Sequence, residues 1–260
     1  MLLEVAKDIA YGAGRILREK INDRFSIEHK GDIDLVTDAD QASEELIVKA
    51  IENYFPNHAI LAEEEGKLGK SESDFLWVID PLDGTTNFAH RFPYFAVSIA
   101  ILEKGERVIG VVYNPMSDEM YAAERGCGAW LNDERISVSK IDNLKQSLLA
   151  TGFSYNIATQ ANDNVDNYRA FVKATQGVLR LGSASLDLCQ VACGRLDGFW
   201  EFSLKSWDIA AASLILEEAG GKVTDLKGGV FDPFKGEIIG SNRLLHDQMI
   251  KNMVNNNTKD

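Results

Sequence analysis

Apolar residues at Leu3, Ala6, Ile9, Ala10, Ala13, Ile16 and Leu17 recur at the three- and four-residue spacing of one helix face, and Ala42, Leu46, Ile47, Ala50, Ile51 and Tyr54 repeat the pattern. Two amphipathic helices therefore open the chain. The short apolar runs "AIL" (59–61) and "FLWVI" (75–79) read as buried strands. Between residues 94 and 124, "YFAVSIAILE", "ERVIGVVYN" and "EMYAAE" are separated by "KG" and "PMSD", which predicts an antiparallel meander. The remainder alternates: helix near 185–193, strand near 198–202, helix near 209–219, strand near 238–240, helix near 244–253, then a frayed "NNNTKD". These elements predict layered α and β structure in two fused halves, 1–140 and 141–260, forming one compact unit without a linker.

Composition narrows the function. Hydrophobic residues at 45% and charged residues at 26% are ordinary globular values and exclude a disordered or fibrous chain. The net charge of −13 disfavours non-specific binding to nucleic acid or anionic membrane, because no excess of Lys and Arg exists to neutralise phosphates. An acidic protein that binds phosphate esters needs cations or oriented amides. The opening "MLLEVAKDIAYGAGRILREK" is neither a signal peptide nor a spanning helix, so the expected location is cytoplasmic. Three cysteines include no metal-type CxxC pair, and Cys189 and Cys193 lie four apart on a predicted helix face, where burial explains them.

The chemistry gathers around "IDPLDGTTNF" (79–88). Asp80 falls at the end of a predicted strand, Pro81 cannot donate a ladder hydrogen bond, and Gly84 permits a tight backbone path. A strand that ends in acids and opens into Gly-Thr-Thr offers oxygen ligands beside free amides, suited to a hard cation and a phosphate together. Glu63, Glu64 and Glu65 also sit just past a strand, "DLVTDAD" (34–40) precedes the second helix, and Asp208 in "SWDIAAASLILEEAGG" starts another. Taken singly, these last three read as a solvated turn, an N-terminal cap by Asp40 or Thr37, and a helix-dipole partner.

Together, "DLVTDAD", "LAEEEG", "WVIDPLDGTTNF" and "SWDIAAASLILEEAGG" resemble, in order, the four signature segments of the inositol monophosphatase family of metal-dependent, lithium-sensitive phosphatases. The resemblance spans nearly the whole chain. It implies a five-layered αβαβα sandwich, two or three Mg²⁺ ions, hydrolysis of a small phosphate monoester and a homodimer. By the same resemblance, Glu63, Asp80, Asp83, Asp208 and the Leu82 carbonyl are metal ligands, and Thr85 and Glu63 orient the attacking water. Asp40 is the acid bonded to that threonine, and the amides of Gly84 and Thr85 receive phosphate. Gly182, Ser183 and Ala184 resemble the substrate wall, and Glu201 the glutamate that binds inositol hydroxyls; read locally, Glu201 is an acid at a strand's end. Lys30 receives no role, because its spacing to Asp34 is shorter than in some members. "GTTNF" resembles inositol phosphatases more than nucleotidases, but an NADP phosphatase, a fructose-1,6-bisphosphatase, a nucleotide 3′-phosphatase and a non-catalytic metal-binding scaffold stay open.

Overall fold

A computed structural model describes residues 1–22, 27–29, 35–69, 72–159 and 163–254, with backbone only at 27–29, 35 and 36. Lys30, Asp34 and the closing "NNNTKD" lie outside the described residues. The chain starts with α1 (Leu2–Lys20), β1 (Ile27–His29), β2 (Leu35–Thr37) and α2 (Asp38–Tyr54). There follow β3 (Ala59–Ala62), β4 (Gly66–Gly69), β5 (Phe75–Asp83) and α3 (Thr85–Ala89). The meander is β6 (Ala96–Glu103), β7 (Glu106–Asn114), β8 (Glu119–Glu124), β9 (Gly128–Leu131) and β10 (Glu134–Arg135). Then come β11 (Leu148–Thr151), α4 (Val165–Ala174), β12 (Gly177–Leu179), α5 (Ala184–Ala192) and β13 (Gly198–Phe202). The chain closes with α6 (Ser206–Glu218), β14 (Lys222–Thr224), β15 (Glu237–Ser241) and α7 (His246–Asn252).

Eight strands form one sheet in the order β10-β9-β8-β7-β6-β5-β3-β4, and five form another in the order β12-β11-β13-β15-β14. Helices α1 and α2 cover one face of the larger sheet, α5 and α6 lie between the sheets, and α4 and α7 cover the far face of the smaller one. This is the five-layered αβαβα sandwich. Three apolar cores match it. One joins α1, α2 and the larger sheet through Ile9, Ile47, Trp77 and Val111; a second fills the middle around Leu186, Ile209 and Ile215; the third lies outside the smaller sheet at Phe171 and Trp200. Helix α6 is apolar all round because both faces are buried between sheets.

Two sequence expectations are corrected. Strand β5 does not stop at Asp80 but runs to Asp83, with the ladder interrupted between those residues and resumed at Asp83↔Ala96. Pro81, which lacks an N–H, falls inside the interruption, where no ladder bond is required of it. The buried side of α2 is also rotated from the predicted one: Ala39, Asp40, Ser43, Glu44, Ile47, Val48 and Ile51 are buried, while Tyr54 is exposed. Polar side chains take core positions here because each finds a partner: Ser43 Oγ donates to the Pro81 carbonyl at 2.8 Å, Asp40 accepts from Thr37, and Glu44 accepts backbone amides of the 63–65 turn.

Candidate active site

The interrupted end of β5 delivers Asp80 and Asp83 to one point, and each has a carboxylate oxygen anchored. The Leu82 N–H donates to Asp80 Oδ1 at 2.9 Å. Asp83 Oδ2 accepts from Ser183 Oγ at 2.7 Å, Ser185 N at 2.8 Å and Ser185 Oγ at 2.5 Å. Asp208, in the first turn of α6, accepts the Lys205 N–H at 2.7 Å on Oδ2 and stands near enough to Asp80 to repel its charge. An anchored oxygen holds the carboxylate's rotamer and so the direction of its partner oxygen.

These acids stand close enough to oppose one another's ionisation. Burial, then repulsion from Glu63, Asp83 and Asp208, pushes Asp80 well above the usual carboxylate range. Burial and then Asp83 raise Asp208 to about 7. Burial also raises Asp83, but the Ser183 and Ser185 hydroxyls and the Ser185 and Ala184 N–H groups pull it back. Glu63 lies in the turn after β3, whose next two amides are held by a residue the sequence motifs do not include: Glu44 accepts from Glu64 N at 3.0 Å and Glu65 N at 2.8 Å. Glu44 falls outside the apolar face that the spacing predicts for α2, so no local signal marked it.

The threonine falls beside its predicted acid. Thr85 Oγ1 lies 3.2 Å from Asp40 Oδ1 and 3.0 Å from the Leu82 carbonyl, its two acceptors. Asp40 and Thr37 both cap α2: Asp40 Oδ2 accepts from Thr37 N at 2.8 Å and Thr37 Oγ1 at 2.6 Å, while Thr37 Oγ1 accepts from Ala39 N. Burial raises Asp40 to about 6 against these bonds. Gly84, at φ +101°, turns the chain into α3, and a Cβ there would lie 3.2 Å from the Gly182 carbonyl. Gly182 thus brings the Gly182–Ser183–Ala184 segment against the first turn of α3, whose leading amides have no partner within the helix.

Two side chains absent from the sequence reading join these segments. Asn87 Nδ2 donates to the Tyr94 and Leu181 carbonyls, each at 2.8 Å, and Tyr94 Oη donates to Asp187 Oδ1 at 2.8 Å. Asp187 is buried in α5. Glu201, buried in β13, rests directly against Gly152, where a Cβ would overlap its carboxylate. Burial, then Asp187, Asp208 and Asp83, raise Glu201 well above its ordinary value, with Arg180 opposing them.

The donor set suits a hard cation: Glu63, Asp80, Asp83, Asp208 and a backbone carbonyl supply oxygen and no sulfur or imidazole. Among the described residues, no group of three or more His, Cys, Asp and Glu side chains is already drawn together tightly enough to hold a metal ion. The fit is therefore one of donor chemistry and of anchored oxygens. Among the described residues no helix is long and apolar enough to cross a membrane.

Residues 1–258 match the model of the "Inositol monophosphatase family". An inositol-1-monophosphatase of Synechocystis sp. is 43% identical over 248 residues, covering 95% of this chain and 86% of that protein. The Nus factor SuhB of Pseudomonas aeruginosa is 45% identical over 249 residues, covering 93% and 91%. A solved inositol monophosphatase from Anabaena (Nostoc) sp. superposes with a TM-score of 0.89 at 41% identity, covering 96% of this chain and 94% of that one. These names divide between an inositol-1-monophosphatase and a Nus factor and so leave the ester open. The family model, the fold and an acid cluster at the end of β5 agree, and the chain belongs to the inositol monophosphatase family of phosphatases.

Proposed function

We propose that the chain hydrolyses a small polyol phosphate monoester, of the inositol monophosphate class, with Mg²⁺. Support for the polyol comes from Glu201, a buried carboxylate beside Asp83, Asp208 and Asp187 that is suited to accept hydrogen bonds from substrate hydroxyls. Two or three Mg²⁺ ions held by Glu63, Asp80, Asp83, Asp208 and the Leu82 carbonyl would neutralise the ester and lower the pKa of a bound water. Thr85 donates to ionised Asp40, so its lone pairs accept from the attacking water, and Glu63 takes the proton. The Gly84 and Thr85 amides hold the phosphate, and the 182–184 segment bounds the alcohol. Residues 1–140 and 141–260 act as one unit, since Asp83 is held across that divide. Two copies associate as a homodimer, which light scattering on the purified chain would test.

A panel of inositol 1-phosphate, fructose 1,6-bisphosphate, NADP and adenosine 3′,5′-bisphosphate, with and without Mg²⁺, tests this reading. The polyol ester should give the highest kcat/KM; a preference for NADP or the nucleotide would overturn the substrate, and full turnover in excess chelator would overturn the metal. Thr85→Ala should lower kcat about a hundred-fold, as for loss of a general-base partner, while Mg²⁺ affinity stays near the wild-type value. A matched loss of Mg²⁺ binding would reassign Thr85 to the metal site. Glu201→Gln should lower kcat/KM for the polyol ester roughly ten- to hundred-fold, as for a lost charged hydrogen bond, and spare p-nitrophenyl phosphate. Equal losses on both esters would move Glu201 from substrate to scaffold.

A further inference from the structure

We infer that the first turn of α5 is a clamp on Asp83, in which Ser185, together with Ser183, is a positioning residue for a cation-holding carboxylate. The inference rests on the metal-dependent reading above. Three hydrogen bonds converge on one oxygen, Asp83 Oδ2: Ser183 Oγ at 2.7 Å, Ser185 N at 2.8 Å and Ser185 Oγ at 2.5 Å. Both serines are buried, and they reach Asp83 from 100 and 102 residues along the chain. A carboxylate with three donors on one oxygen cannot turn about its Cβ–Cγ bond without losing them, so Oδ1 keeps a single direction.

The Ser183 hydroxyl also belongs to the 182–184 segment that bounds the alcohol, so the same turn ties the wall to the cation-holding end of β5. Ser183 Oγ is thereby engaged with Asp83 as well as with its own helix cap, where it accepts the Leu186 N–H. Removing a hydroxyl frees the carboxylate to rotate, so Oδ1 loses its fixed direction. A serine that merely fills space in a buried helix turn would be replaced by alanine without effect on any cation.

The test uses the full chain, stripped with chelator, and titrates Mg²⁺ by calorimetry and Mn²⁺ by electron paramagnetic resonance, without substrate. Ser185→Ala should weaken Mg²⁺ binding about ten-fold and the Ser183→Ala/Ser185→Ala pair about a hundred-fold, the range found for hydrogen-bond partners of metal ligands. The Mg²⁺ concentration for half-maximal turnover should rise by the same factor in Ser185→Ala. Ser183→Ala is read separately in case the double variant does not fold. Wild-type binding with unchanged affinity in the folded single variants would overturn the clamp alone. A fall in kcat at saturating Mg²⁺ with unchanged affinity would likewise overturn it. A wild type that binds no Mg²⁺ would overturn the metal-dependent reading and the clamp with it.

Discussion

Asp208→Asn is expected to lower kcat about a thousand-fold or more, the several kcal/mol that a lost cation ligand removes from the transition state. The substitution keeps the fold, because an asparagine oxygen can still accept the Lys205 N–H that Asp208 accepts at 2.7 Å, so the cap of α6 survives. It removes one of the charges that oppose Asp80 and Asp83. In excess chelator the variant should therefore melt higher than wild type, while Mg²⁺ should stabilise it less. Asp80→Asn should behave similarly, since its amide oxygen can accept the Leu82 N–H. Steady-state kinetics and melting curves, each with and without Mg²⁺, decide the matter. Near-normal kcat in a folded Asp208→Asn protein would remove Asp208 from the site.

The metal-free chain should lose stability as pH rises from 5 to 8, the reverse of the usual acid denaturation. Asp40 is raised to about 6 and Asp208 to about 7, with Asp80 raised as well, all chiefly by burial. Unfolded, these groups titrate near 4. A carboxyl whose folded pKa exceeds its unfolded one contributes stability that is complete below about 4 and is lost as pH climbs through the folded value. Between pH 5 and 8 the unfolded chain binds fewer protons than the folded one, so the slope is negative. The cluster as a whole is worth several kcal/mol, which for a chain of this size is roughly 5–15 °C in melting temperature. Mg²⁺ replaces the lost protons as counter-charge, so the melting temperature should rise with Mg²⁺ far more at pH 8 than at pH 5. A flat profile in chelator, or an equal Mg²⁺ shift at both pH values, would show that these acids do not share a site.

Much of this was legible before any tertiary structure. The period of Ala6, Ile9, Ala10, Ala13 and Leu17 matches the buried stripe of α1, and the apolar runs at 94–124 became β6, β7 and β8. Such elements follow from local periodicity because each buries one face or alternates through a sheet. Strand β5 was less legible, since a proline reads as a stop even where an interrupted ladder has no use for its N–H. The buried side of α2 was misread for a different reason: Asp40, Ser43 and Glu44 look solvent-seeking until Thr37, the Pro81 carbonyl and the 63–65 amides are set beside them.

Neighbours along the chain carry most of the elements, the metal-type residues within each motif and the family those motifs resemble, though α4, β11, β12 and β14 have no counterpart in the local pattern. How the acids are held follows from packing between layers. Asp83 meets Ser183 and Ser185 because α5 lies between the two sheets, and Glu44 meets the 63–65 turn because α2 lies across the larger sheet. Tyr94 reaches Asp187 over 93 residues. Side-chain periodicity says which face of an element is buried but not what it is buried against, so partners separated by tens of residues are set by layer packing and strand register alone.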